Sequence, residues 1–314
     1  MSTAPVTPAA PGRRLRIPTW EEVKDFFWEY GWAYLFILVP VLLFALFVIY
    51  PLFWAFTLSF ENWTVLDGGT WIGLKNYAQL FHNPVYFKAL VNTFQYTVFT
   101  VPINIAIGLF LAVLIYPLAP KWQHFFKFAF YLPVVAAGII MALVWSWMFD
   151  VRDGLLNYIF VHWLHLRPSM FLASSKTAMW SLIGKTYPTG HGGSVVLYLA
   201  AMGGIPASLY EAAELDNASG WRKFWKITFP LLKPTTVYLL ITGVIGAMQT
   251  FGEIYVMTMG GPDNSTTTLG FLLYKSAFLN YEWGFAAAQG FVLGGLILII
   301  SVLQYKFFST NVEY

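Results

Sequence analysis

Apolar runs of about 20 residues recur along this chain, near 33–57, 89–116, 127–149, 178–203, 234–258 and 284–308. A helix of that length and composition can cross a hydrocarbon core of about 30 Å. Backbone polar groups in lipid must be satisfied within the protein, so such runs predict an all-α, polytopic membrane domain of about six spans. Hydrophobic residues make up 58% of the 314 and charged ones 11%, where a soluble domain carries about 25% charge. A net charge of +3 offers no basic face to offset a row of phosphates, so no nucleic acid is expected as a partner. Cys is absent, which leaves the redox compartment unread.

Residues 1–31 read as a cytoplasmic N-terminal tail and interfacial helix, and 32–310 as the membrane domain. The Arg13, Arg14, Arg16 cluster leads into Thr19-Trp20-Glu21-Glu22 and not into an apolar core with a cleavage site, so it is no secretory signal. Thr19 and Glu22 have capping-box spacing. Trp20, Val23, Phe26, Phe27 and Tyr30 then recur at helical spacing, as in a short helix lying on the membrane surface. The Pro- and Ala-rich residues 1–12 fit a disordered tail. Eleven of the 18 Lys and Arg fall on the side of the termini, which places both termini in the cytoplasm. The loops 58–88, 150–177 and 259–283 then lie outside. The first, with Asp67-Gly68-Gly69, reads as an extended surface loop. In the second, Asp153 is placed to cap a short helix through Leu156, Ile159, Phe160 and Trp163.

A charged, helix-prone island spans 205–230 on the cytoplasmic side. Carboxylates and ammonium groups each cost roughly 2.5–3.5 kcal/mol at the middle of a spanning helix, so this island belongs in water or against another protein. Pro206 suits a helix start, Ala207 to Ala218 is rich in helix formers, and Gly220 suits the residue just past a helix end. A second short helix, Trp221 to Thr228, is expected to stop at Pro230. On the first helix Leu209, Ala212, Ala213 and Asp216 share a face, with Glu211 and Glu214 to either side. A plain surface or re-entrant helix is the alternative.

The pattern Glu211-Ala212-Ala213, then Gly220, then Pro230 resembles the cytoplasmic loop of integral-membrane subunits of binding-protein-dependent ABC importers. Tyr131-Leu132-Pro133, Trp145-Ser146-Trp147-Met148-Phe149, Gly154-Leu155-Leu156-Asn157, Phe251-Gly252-Glu253-Ile254-Tyr255-Val256-Met257-Thr258 and Gly260-Gly261-Pro262 extend the likeness. Over about residues 30–310 the chain is similar to the sugar permeases, the maltose- and glycerol-phosphate-type subunits. That resemblance implies the ABC type I importer permease fold, a bacterial inner-membrane location and a sugar as solute. It also implies a dimer of cytoplasmic ATP-binding subunits, a second homologous permease subunit and an extracytoplasmic solute-binding protein. In such proteins the loop docks in a cleft on the ATPase, so Glu211, Ala212, Ala213, Asp216 and Gly220 are the implied coupling positions. A rim charge such as Glu211 would meet an Arg of that partner.

Polar groups within spans mark candidates for a solute path, because burying them away from a partner is costly. Asn92, Gln95, Asn104, Gln249 and Glu253 qualify. Gln249 and Glu253 are i,i+4 and so predicted on one face of the fifth span, with Phe251 and Tyr255 close by. Hydroxyls and an apolar ring face would suit that mixture. Interhelical hydrogen bonding is the competing role. The polar, glycine-rich segment Gly184 to Gly193 either unwinds to line a cavity or precedes a helix that begins near 190. Gly184-Lys185-Thr186 is no phosphate-binding loop, since Met179 stands where its first Gly is needed. Lys185 is therefore expected at the outer edge, snorkelling toward headgroups. ATP would be bound by a partner subunit, and the chain is expected to carry no cofactor of its own. His82, His124, His162, His165 and His191 lack metal-site spacing, so no metal is expected. A secondary transporter driven by an ion gradient remains the rival reading, although no internal repeat is visible. A membrane-embedded enzyme would need ionisable groups clustered at one depth, and the sequence offers none.

Overall fold

The computed structural model describes residues 19–64, 68–135 and 138–308. The expected tail at 1–12 and the Arg13–Arg16 cluster lie outside them, as do Asp67 and the side chain of Glu22. The chain divides into two units, residues 1–54 and 55–314.

In the first unit, helix α1 (Trp20–Phe44) is followed by a π-turn, Ala45–Ile49, and by the start of α2 (Tyr50–Leu58). The stretch Trp28–Leu58 is long and apolar enough to cross a membrane. The separate interfacial helix is corrected here: α1 runs unbroken from Trp20 into the apolar run. Gly31 alone does not stop it, a mid-helix Gly costing only about 1 kcal/mol.

The second unit opens with a hairpin, β1 (Glu61–Thr64) against β2 (Gly68–Trp71), antiparallel with Glu61 opposite Trp71 and Thr64 opposite Gly68. The expected extended surface loop thus holds a small two-stranded sheet followed by α3 (Lys75–His82). Asn76 of α3 donates its amide to Ser59 O and Glu61 O, both at 2.9 Å. The bundle follows: α4 (Pro84–Ile115), α5 (Pro120–Val135), α6 (Gly138–Met148), α7 (Leu155–His162), α8 (Ala178–Gly184) and α9 (Gly192–Gly203). After the island helix α10 (Ala207–Leu215) come α11 (Gly220–Lys223), α12 (Phe229–Met248), α13 (Gly252–Met257), α14 (Leu269–Tyr274) and α15 (Trp283–Phe308). By length and composition four helices can cross a membrane, and up to six spans result if two bent pairs each count as one. One of those pairs joins α9 to α10. With Glu211 and Glu214 on α10 and no buried residue in it, we take the fourth crossing as α8 and α9 instead.

The central helix α4 packs against α9 on one side and α12 on another, and α12 packs on α15. Small residues set these approaches. A Cβ on Gly108 of α4 would stand 2.0 Å from Ser194 Oγ of α9, and one on Gly243 of α12 would stand 2.9 Å from Val101 of α4. One core joins Leu80, Ala89, Val101, Met248, Leu269 and Leu293, and another joins Ala112, Val195, Tyr198 and Leu232.

Among the described residues two of the apolar runs are broken. The fourth consists of α8, a run of turns over 185–191, and α9. Of the two readings of Gly184 to Gly193, unwinding is the one observed. Its glycines admit close neighbours: a Cβ on Gly192 would run into the Phe130 carbonyl of α5, and one on Gly190 would lie 3.0 Å from the side-chain amide Nδ2 of Asn104. The fifth is one helical run from Gly220 to Met248, through a π-turn at Phe224–Thr228. It stops there and resumes as α13. The expected stop at Pro230 is corrected: the helix runs on through it, with the π-turn directly before it and Phe229 N–H donating to Phe224 O.

Carbonyls freed by the second break are covered from the loop 258–268 and from α14. Thr268 Oγ1 donates to Thr250 O at 2.7 Å, and Gly270 packs so close to Gln249 O that a Cβ would come within 2.7 Å. Asn92 of α4 ties that loop down, donating to Asn264 O and Thr267 O at 2.9 Å each, while Thr93 Oγ1 accepts from Leu269 N at 2.9 Å. Asn92→Ala leaves Thr267 O without its donor and takes one of two from Asn264 O, which keeps Thr267 N at 3.3 Å, at a cost of about 1–3 kcal/mol. We expect a lower unfolding midpoint and faster amide exchange over 264–269, and unchanged exchange there would refute the bracing role.

Candidate functional site

The island is a helix, a left-handed turn and a second helix. α10 begins after Pro206 and ends at Leu215, where Asn217 takes φ +50 and closes the turn with Asn217 N to Glu214 O at 3.0 Å and Ala218 N to Ala213 O at 2.9 Å. Ser219 caps the next helix, its Oγ accepting from Arg222 N at 3.3 Å. Gly220 is therefore the first residue of α11 and not the terminator of α10. Asn serves the terminating role because its short polar side chain tolerates the left-handed region. A Cβ on Gly220 would meet nothing within 4 Å, so crowding of the turn does not explain a Gly there.

Cross-links stiffen the island. Tyr210 Oη bonds Thr228 Oγ1 at 2.9 Å, and Lys223 Nζ meets Glu214 Oε1 at 3.0 Å. Glu211, Ala212 and Asp216 are exposed and Ala213 is half-buried. Ala213 and Asp216 face Arg222, Lys223 and Lys226 across a concavity of about 520 Å³. Leu215 at 86% and Trp221 at 73% exposure are the most open large apolar groups of this region.

A second concavity, also about 520 Å³, lies inside the bundle at the two helix breaks. Tyr96, Thr100 and Asn104 of α4, Thr186 and Gly190 of the first break, Thr242 and Gly246 of α12, and Thr250 and Glu253 of the second break line it. Lys185 Nζ reaches Glu253 Oε2 at 2.6 Å, and Tyr96 Oη donates to the same oxygen at 3.2 Å. Lys185 is 4% exposed. It is thus buried in an ion pair between the two broken spans and does not snorkel outward. A cation with no water and no partner at that depth would be too costly, so it takes the nearest carboxylate.

Gln249 and Glu253 do not share a helical face as the i,i+4 spacing predicts. The helix ends at Met248, Gln249 is its exposed cap and Glu253 belongs to α13. Thr250 and Phe251 between them leave helical register, with φ −143 at Phe251. Tyr255 is half-open and meets Tyr274 edge-on at 5.2 Å, with Phe251 stacked on Tyr274 at 5.2 Å. Asn92 is buried against the loop and Gln95 is half-buried, and neither lines the cavity. Asn104 does, donating to Thr186 Oγ1 at 3.1 Å. The sequence reading missed Lys185 and Tyr96. The signal was present as two opposite charges in two separate apolar runs.

In the loop 150–177 the cap is also reassigned. Gly154 precedes α7 without a side-chain cap, and Asp150 instead accepts from Arg152 N at 2.8 Å and Asp153 N at 2.9 Å. These backbone N–H groups, that of Asp153 foremost, hold the Asp150 carboxyl below its usual pKa. Trp163 follows the helix as its cap. Among the described residues no three His, Asp or Glu are grouped to hold a metal ion.

A multi-pass helical bundle with broken spans around a polar cavity, and a stiff charged island outside it, defines a transport permease. The chain belongs to the binding-protein-dependent transport system inner membrane component family, whose model matches residues 68–313. It is 38% identical to the probable ABC transporter permease protein YurN of Bacillus subtilis, over 89% of this chain and 97% of that protein. It is 33% identical to the arabinooligosaccharides transport system permease protein AraP of the same organism, over 90% of each. Its fold matches a chain of a bacterial ABC transporter that imports alginate, with TM-score 0.80, 21% identity and coverage of 90% of this chain and 97% of that one. The chain is therefore a transport subunit of an ABC importer and not an enzyme.

Because a Cβ at position 220 would meet nothing within 4 Å outside its own helix, Gly220→Ala should change the unfolding free energy of the isolated permease by no more than about 0.5 kcal/mol. Differential scanning of the purified subunit checks this, and a marked loss would restore an internal role for that Gly.

Proposed function

We propose that this permease carries a sugar, a di- or oligosaccharide or a related polyol or sugar phosphate, across a bacterial inner membrane, powered by ATP hydrolysed on a pair of cytoplasmic partner subunits. The observation that carries the reading is the island 205–230 and its connection to the cavity. Support for a sugar comes from the arabinooligosaccharide permease aligned along nearly the whole chain, and from a cavity lined by hydroxyls, an amide and a phenol.

Glu211, Ala212, Ala213, Asp216 and Gly220 form the surface that docks on the ATPase. The small side chains of Ala212, Ala213 and Gly220 permit close approach, and the exposed Glu211 carboxylate meets a guanidinium of the partner. The internal ties of Tyr210 and Lys223 keep the island from yielding under load. Motion of the island enters a helical run from Gly220 to Met248, about 43 Å long at 1.5 Å per residue. Its far end is the break at Gln249–Phe251, beside Glu253 on the cavity wall. Closure of the ATPase pair is thus delivered to the segment that borders the solute path. A second homologous permease completes the cavity, an extracytoplasmic binding protein loads it, and both termini face the cytoplasm. The chain has no nucleotide loop of its own, so the cofactor ATP stays with the partner.

Two measurements test this. The purified chain alone should turn over no ATP, and turnover free of any second polypeptide would overturn the assignment. Since the protein has no Cys, Ala213→Cys places one thiol on the island. It should cross-link to the ATPase subunit at near-stoichiometric yield and to no other component, whereas a yield no higher than that of Cys placed in the 150–177 loop would refute docking there.

A further inference from the structure

We propose that the Lys185–Glu253 pair sets the charge of the solute path, keeping it neutral so that the permease favours uncharged, hydroxyl-rich solutes over anionic ones. The inference rests on the sugar-import reading and narrows its solute class.

Glu253 is placed to meet solute. Its side chain is 32% exposed, it lines the cavity, and Oε2 is pinned by Lys185 and Tyr96. Oε1 makes no bond within the protein among those found for the described residues, so it is available to accept from a hydroxyl. Lys185 itself does not line the cavity, although the adjacent Thr186 does. The ammonium therefore stands behind the carboxylate, cancels its charge and fixes its direction without offering an anion a direct contact. Its neighbours in the cavity wall are uncharged: Thr100, Asn104, Thr242 and Thr250. A surface of this kind donates and accepts hydrogen bonds at no net charge, which suits an unmodified sugar. A phosphate or uronate would face an occupied cation and a carboxylate.

Each half of the pair has an opposite effect on selectivity when removed. Glu253→Gln leaves a cation uncompensated beside the path and should admit anions. Lys185→Met leaves a carboxylate uncompensated and should exclude them further. A role confined to bracing the helices would lower the uptake of all solutes together, without this reversal of sign.

The test uses the whole importer, permease pair, ATPase and binding protein, in vesicles. The probes are a neutral trisaccharide taken up by wild type and the same trisaccharide with its terminal primary alcohol oxidised to a carboxylate. One binding protein serves every variant, so its own preference cancels when the neutral-to-anionic uptake ratio is compared among them. We expect that ratio to fall on the order of tenfold in Glu253→Gln and to rise in Lys185→Met, as one unscreened charge several Å from another dictates. The double variant, which buries no lone charge, should return toward the wild-type ratio. Equal ratios in all variants would overturn the proposal while leaving sugar import intact, whereas a wild type that takes up no saccharide would overturn the sugar reading itself. If Lys185→Met fails to assemble, the near-isosteric Glu253→Gln decides alone, and a ratio unchanged from wild type refutes the assignment.

Discussion

No backbone amide in the hydrocarbon layer can turn to water, so every interruption of a spanning helix must be answered by the protein itself. Two spans of this permease are interrupted at the same cavity, and much of the bundle is arranged to answer them. Thr268 caps Thr250 O, Asn92 holds the loop that carries Thr268, and Asn104 reaches Thr186 in the other break. The glycines at 190, 192 and 270 serve the same end, bringing neighbouring chain within reach where a side chain would hold it off. Lys185 and Glu253 then join the two breaks directly. The cavity is polar because it is where helices stop, and the helices can stop there because the cavity supplies partners.

The two halves of the function obey different rules. The island is rigid, exposed and closed on itself through Tyr210, Ala218 and Lys223, and its contacts are local in sequence. The cavity is assembled from α4, the 185–191 turns and the 249–253 segment, whose members lie up to 157 residues apart, as Tyr96 and Glu253 do. A substitution on the island should therefore leave the packing of the bundle undisturbed, whereas one at the cavity touches it.

That contrast also explains what was legible in the sequence. Apolar runs other than the fifth matched helical segments to within several residues, since hydropathy needs only local composition; the fifth, expected at 234–258, is a helix over 220–248. The island was visible by its charge in an apolar chain, although its turn was assigned to Gly220 when Asn217 makes it; both residue types terminate helices, and only the backbone angles decide between them. The fifth span was read as continuous to 258 because Gln249-Thr250-Phe251-Gly252 contains no Pro and only one Gly. Its break is imposed from outside, by Thr268 and the close approach of Gly270. Lys185 was misplaced for the same reason: its partner is 68 positions away, and spacing along one helix carries no trace of it.

The π-turn at Phe224–Thr228 has a further consequence. A π-turn holds one residue more than an α-helical turn, and each residue advances the helix by about 100°. Everything before it, Ser219, Gly220 and the whole of α10, is thereby rotated about the helix axis relative to the faces that α12 presents to α4 and α15. The compass bearing of the island relative to the bundle is thus written in a single surplus residue between Phe224 and Thr228. Gaining or losing that one residue would swing the island by about 100° about the helix axis with neither the island nor the cavity wall changed.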